Sequence, residues 1–313
     1  MPAAVVFILF VICLIIAIPV SIALTIASVL PGAFDPSFTA SGQFVIRSML
    51  GGIDSFPLLA VPMFVLAGIL MAHGKISEKL FDVFVYFLGN KRAGIPCAVI
   101  ITCLFYGAIS GSAPATVAAV GSMTIPLLIE LGYEKDFSTA IVAVAGGLGV
   151  IIPPSIPFIM YAMATGESVS DLFLAGIVPG MMISALLIFY AYYYCRRHGE
   201  DREKIQAKMD QLKTKGFVNI LKESIWALLS PVIVLGCIYS GVASPTEAAV
   251  ISVFYSLFVS LFIYKSIKVK QIWGIMVEAM KTYAPILFIL ATSTAFSRVL
   301  TLMQVPQDVS AWI

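Results

Sequence analysis

Charge is scarce in this chain. Only 12% of its 313 residues are Asp, Glu, Lys or Arg while 60% are hydrophobic, and no stretch is polar enough to form a separate water-soluble domain. Histidine is scarcer still, with His73 and His198 alone. The run "GAISG" at residues 107–111 loosely resembles a serine nucleophile beside glycine. No histidine falls near Ser110 to act as a general base, so an intramembrane hydrolase is disfavoured and no catalytic residue is assigned. The net charge of +2 leaves no concentrated basic face of the kind a phosphate backbone requires, which argues against a nucleic-acid partner. The five cysteines (Cys13, Cys97, Cys103, Cys195, Cys237) lie in or beside apolar segments with no CxxC spacing. They read as small buried hydrophobes, neither disulfides nor metal ligands.

What the chain has in abundance is uninterrupted apolar sequence, so the spacing predicts an all-α polytopic membrane protein whose solvent is the lipid bilayer. The first run, "AAVVFILFVICLIIAIPVSIALTIASVL" at residues 3–30, lacks a basic leader and is too long for a secretory signal. It predicts one spanning helix that is retained. The longest polar stretch, "CRRHGEDREKIQAKMDQLKTKG" at residues 195–216, holds eight Lys/Arg when extended to Lys222 and is read as a solvated helical connector on the cytoplasmic side. Counting spans outward from it places two further basic segments inside, residues 73–94 and 265–281. The same count puts the N-terminus inside.

That count closes only if residues 93–136 enter and leave the membrane on one face. Within them, "GAISGSAPATVAAVGSMTIP" at 107–126 carries three Gly, two Pro, three Ser and two Thr, too many backbone breakers for a plain span. It is read as the tip and return limb of a re-entrant helical hairpin. The next span, "AGGLGVIIPPSIPFIMYAMATG" at 145–166, breaks as well, at Pro153, Pro154 and Pro157. Non-helical backbone survives in hydrocarbon only where protein, water or an ion satisfies its carbonyls and amides. Oxygens from Ser110, Gly111 and Ser112, with the carbonyls of Gly149, Ile152 and Pro153, therefore suggest a hard cage for an alkali cation, and freed N–H groups nearby suit a carboxylate. The ligand pair predicted is Na+ with an organic anion. The alternative is that the small residues serve close helix packing and the prolines only kink. A weak internal echo between residues 55–77 and 282–306, crossing in opposite directions, has the sign of an inverted repeat.

The stretches "LLAVPMFVLAGILM" (58–71), "GAISGSAPATVAAVGSMTIP", "GVIIPPSIPFIMYAMATGESVSDLFLAGIVPG" (149–180) and "SPTEAAV" (244–250) together resemble the large membrane subunit of tripartite ATP-independent periplasmic (TRAP) transporters. The resemblance implies an elevator-type, inverted-repeat secondary transporter of the bacterial inner membrane that takes up organic acids such as C4-dicarboxylates or sialic and sugar acids with Na+. It implies two partners, a small four-helix membrane subunit and a periplasmic substrate-binding protein. On this pattern residues 1–54 are an N-terminal scaffold helix and connector, 55–92 an arm helix and amphipathic connector, and 93–170 the transport core. Residues 171–282 are scaffold helices with the basic loop, and 283–313 open a second repeat whose own hairpin and second sodium site are missing. The sodium site falls on Ser110, Gly111, Ser112, Gly149, Ile152 and Pro153, and Ser112, Thr116 and Ser155 are placed toward the substrate. Arg298, an intramembrane charge and so a functional candidate, matches a position that in some members faces the substrate carboxylate. Its other reading is a side chain snorkelling to the interface. A partner-independent anion permease of similar fold, or a membrane scaffold without transport, are the competing expectations.

Overall fold

In a computed structural model, residues 3–34, 38, 40–214 and 216–312 are described. Among these the chain is all helix, with no strand. The helices are α1 (Ala3–Ile15), α2 (Val20–Phe34), α3 (Gly42–Ile53), α4 (Ala60–His73), α5 (Ile76–Leu88), α6 (Gly94–Ser110), α7 (Ala113–Glu130), α8 (Lys135–Gly146), α9 (Leu148–Ile151) and α10 (Ile156–Thr165). They continue with α11 (Val169–His198), α12 (Arg202–Thr214), α13 (Phe217–Tyr239), α14 (Pro245–Phe258), α15 (Val269–Leu302) and α16 (Val305–Trp312). Among the described residues, seven segments are long and apolar enough to cross a membrane, which makes this a multi-pass membrane protein.

The chain divides into two compact units. The smaller contains residues 1–58 and 280–313. Here the single span predicted over residues 3–30 is corrected to two helices packed side by side, α1 and α2. Ala17 adopts a left-handed conformation, with φ of 62°. Ile18 N–H donates to the Cys13 carbonyl and Ala17 N–H to that of Leu14, both at 3.0 Å. That is a Schellman stop, and Pro19 then cannot continue the helix. At about 1.5 Å per residue the 13-residue α1 spans about 20 Å, too short to cross alone. The count that placed the N-terminus inside thereby loses its first crossing. Phe7 and Phe10 meet Phe296 with ring centroids 6.1 and 5.7 Å apart, and Ala40, Val45, Ala295 and Val299 form a small core.

The larger unit, residues 59–279, is built around α6. Its buried side chains Ile95, Ile100, Tyr106 and Ile109 pack into one apolar core with Met71, Leu80 and Leu148 from the surrounding helices. Helix α4 lies along α14, where a row of small buried residues, Ala248, Ser252 and Ser256, allows close approach. The three basic segments that the charge count put on one side do converge. Lys79 pairs with Glu223, Ser224 Oγ donates to the Lys79 carbonyl at 2.9 Å, Arg202 reaches the Asn90 carbonyl at 3.3 Å, and His73 meets Glu278 at 2.9 Å. The residues 195–216 connector is helical as expected over α12, but it is not wholly solvated: Ile205, Met209 and Leu212 are buried, and so is Glu200.

Candidate functional site

The limbs α6 and α7 pack against each other, and their feet meet: Ala93 N–H and Tyr133 O–H donate to the same carboxylate oxygen, Oε1 of Glu200, at 3.0 and 2.7 Å. Residues 93–136 therefore form a helical hairpin whose two feet lie at one end of the larger unit. The reversal is made by Gly111, whose φ of +62° is costly for any residue with a Cβ, followed by extended Ser112 (φ −140°, ψ 123°). Pro114 in the first turn of α7 suits a position whose N–H has no helical partner.

The second break falls where proline placed it. Helix α9 ends at Ile151, Ile152 is extended (φ −75°, ψ 129°), and α10 restarts at Ile156 with Ser155 as its N-cap. Ser155 Oγ donates to the Val150 carbonyl at 2.6 Å and accepts from Phe158 N–H at 3.4 Å, so it bridges the gap.

The structure brings the two breaks together. Ile156 N–H donates to the Gly111 carbonyl at 3.2 Å, joining the restart of α10 to the hairpin tip. Gly149 lies so close to the tip that a Cβ there would stand 3.0 Å from the Ser112 carbonyl oxygen and would strike the Thr116 hydroxyl. Ser110, Thr116 and Ser155 are all buried. Ser110 Oγ lies 3.0 Å from Thr116 Oγ1, which in turn donates to the Ser112 carbonyl at 2.9 Å. Hydroxyl and carbonyl oxygens keep free lone pairs after such bonds, so the tip is a cluster of neutral hard oxygens in an apolar surround. Among the described residues no group of three His, Cys, Asp or Glu side chains is placed to hold a metal ion. The close-packing reading of the glycines is satisfied at the same spot, because close approach is what crowds these oxygens.

Ser110, Gly111, Ser112, Thr116, Gly149, Ile152, Pro153 and Ser155 thus all belong to this one region of the larger unit. Arg298 belongs to the smaller unit. It is exposed, just over one turn from the end of α15, with its guanidinium over Gly51 of α3. Two groups behind the tip escaped sequence reading. Tyr106 is fully buried and donates its O–H to the Gly68 carbonyl of α4 at 2.8 Å, and Gly68 in turn lies against Ser110. The only signal was a tyrosine in an otherwise apolar helix, since a buried phenol needs a partner.

Residues 7–313 match the family described as "Tripartite ATP-independent periplasmic transporter, DctM component". The chain is 39% identical over 313 residues to the isethionate TRAP transporter permease protein DctMQ of Oleidesulfovibrio alaskensis, covering 99% of this chain and 48% of that protein. It is 38% identical to the C4-dicarboxylate TRAP transporter large permease protein DctM of Pseudomonas aeruginosa (83% of this chain, 60% of that one). It is 35% identical to the 2,3-diketo-L-gulonate TRAP transporter large permease protein YiaN of Escherichia coli (86% and 62%). The chain thus spans about half to three fifths of the length of these relatives. With its matched residues running nearly end to end, the chain belongs to the DctM component family of TRAP transporters, a family of transport proteins and not of enzymes.

Proposed function

We propose that this chain carries part of the permease of a sodium-coupled uptake system for organic acids in a bacterial inner membrane. The observation that carries the proposal is the meeting of two helix breaks, the hairpin tip at Ser110–Ser112 and the gap at Ile152–Ser155, in one buried cluster of oxygens. Na+ is held by oxygens of Ser110, Gly111 and Ser112 with carbonyls of Gly149, Ile152 and Pro153. Bound sodium orders the tip, and the ordered tip completes a site for the substrate anion with Ser112, Thr116 and Ser155. Coupling follows because an empty tip leaves carbonyls poorly satisfied in a dry setting, which disfavours moving the hairpin and broken helix, elevator-fashion, without their ligands.

Substrate class follows from the relatives' names, which include a sulfonate, C4-dicarboxylates and a sugar-derived keto acid; sialic acid belongs to the same chemical group. All are organic anions bearing a carboxylate or sulfonate group, matched to hydroxyls and backbone N–H groups. The system includes a small four-helix membrane subunit and a periplasmic binding protein that delivers the substrate.

The test is uptake of a panel of radiolabelled organic acids into proteoliposomes containing the full-length protein and the small subunit. Inward Na+ and K+ gradients are compared, with and without the binding protein. Uptake that requires both Na+ and the binding protein is the expected result. Uptake without the binding protein would identify a partner-independent permease, and uptake indifferent to Na+ would remove the sodium site.

A further inference from the structure

The proposed transport reading leaves unused a group at the opposite end of the hairpin from its tip. Glu200 lies between α11 and α12, in the most charged part of the chain, yet its side chain is only 2% exposed. Its Oε1 accepts from Ala93, the N-cap of α6, and from Tyr133, which follows α7, so one oxygen holds the feet of both limbs across 107 and 67 residues of sequence. Its Oε2 accepts from Arg202 Nη2 at 3.0 Å, while Arg202 Nη1 donates to the Asn90 carbonyl in the turn before α6. A buried carboxylate is tolerated where donors fill its lone pairs, and here three do. Burial and the adjacent carboxylate raise the Tyr133 phenol above the ordinary tyrosine range, so it remains a donor throughout physiological pH. A second tie sits alongside: Tyr194 O–H donates to Glu134 at 2.6 Å and its ring stacks on Phe137 with centroids 4.0 Å apart, fastening the start of α8 to the same end of α11.

We propose that Glu200 is a positioning residue, a clasp that pins both feet of the hairpin to the end of α11 and so confines hairpin opening to the tip. The 17-residue α6 is about 26 Å long, so a slack of about ten degrees at the foot would displace the tip by about 4–5 Å. That is enough to part Ser112 from Gly149. With the feet pinned, motion is left to the left-handed turn at Gly111. The inference concerns the mechanics of the hairpin and holds whichever ion or substrate the tip accepts.

Amide hydrogen exchange of the full-length protein in lipid nanodiscs tests it, comparing wild type with Tyr133→Phe and Glu200→Gln. A loosened clasp is expected to speed exchange about tenfold or more in peptides covering residues 107–116, with α14 unchanged. Glu200→Gln keeps an oxygen for Ala93 and Tyr133 but loses the charge that faces Arg202. Tyr133→Phe removes a single oxygen and decides the question even if Glu200→Gln fails to fold. Faster exchange confined to residues 90–94 and 131–134 would overturn the proposal, since Glu200 would then be a local tie only. A uniform rise that includes α14 would overturn it equally.

Discussion

Gly149 and Thr116 decide how closely the two breaks can approach. A methyl group at Gly149 has no room between the Ser112 carbonyl and the Thr116 hydroxyl, so Gly149→Ala must push the tip away. The expected cost is about 1–3 kcal/mol by overpacking, read as a lower unfolding midpoint, together with a higher Na+ concentration for half-maximal uptake. Thr116→Val is a gentler probe, of equal shape without the hydroxyl that joins Ser110 to the Ser112 carbonyl. About 1–2 kcal/mol of stability is expected to go with it, and restoration by Thr116→Ser would show that the hydroxyl and not the methyl matters. Ser112→Ala serves as the contrast. The Ser112 side chain makes no capping bond at the start of α7, and its part in the network is played by its backbone carbonyl. Of the two serines flanking Gly111, Ser110→Ala is therefore expected to impair sodium dependence more.

Two elements hold the hairpin in its setting, and each depends on one polar contact inside an apolar frame. Tyr106→Phe deletes the bond from α6 to the Gly68 carbonyl while leaving the buried ring. About 1 kcal/mol of stability is expected to be lost, visible in the melting temperature, because little else replaces a bond in that dry position. Helix α14, against which α4 packs, begins with a full capping box: Ser244 accepts from Glu247 N–H at 3.3 Å while Glu247 accepts from Ser244 N–H at 2.7 Å. Ser244→Ala is expected to cost about 1 kcal/mol. This start was legible in "SPTEAAV", where Ser and Glu stand three apart with Pro at the first helical position. The breaks at Gly111 and Pro153 were equally legible, since glycine and proline act on their own backbone. The Schellman stop at Ala17 was not. Alanine carries no left-handed preference, and only the packing of α1 on α2 makes the reversal worthwhile.

For the whole molecule, the decisive arrangement is the gathering of basic segments from distant parts of the chain at one end of the larger unit. Single cysteines at Lys91, Lys208 and Lys270, in a background without native cysteines, are expected to react with a membrane-impermeant maleimide only from the cytoplasmic face. Cysteines at Glu167 and Val242 are expected to react only from the opposite face. Reaction of Lys91→Cys and Lys208→Cys from different faces would make α6 and α7 an odd number of crossings and dissolve the hairpin.

Sequence alone determined that this is a helical membrane protein, that the helices of its larger unit break at Gly111 and Pro153, and that its three basic segments belong together. Each of these rests on a local quantity: apolar run length against bilayer thickness, the backbone limits of glycine and proline, and the cost of moving lysine and arginine across hydrocarbon. Tertiary structure alone decided which oxygens face one another at the tip, that the first apolar run folds back on itself, and that Glu200 leaves solvent to hold both feet of the hairpin. In sequence Glu200 is one more charge in a polar connector. Its burial depends on donors from Ala93 and Tyr133, 107 and 67 residues away, and no local pattern encodes partners that only packing brings within 3 Å.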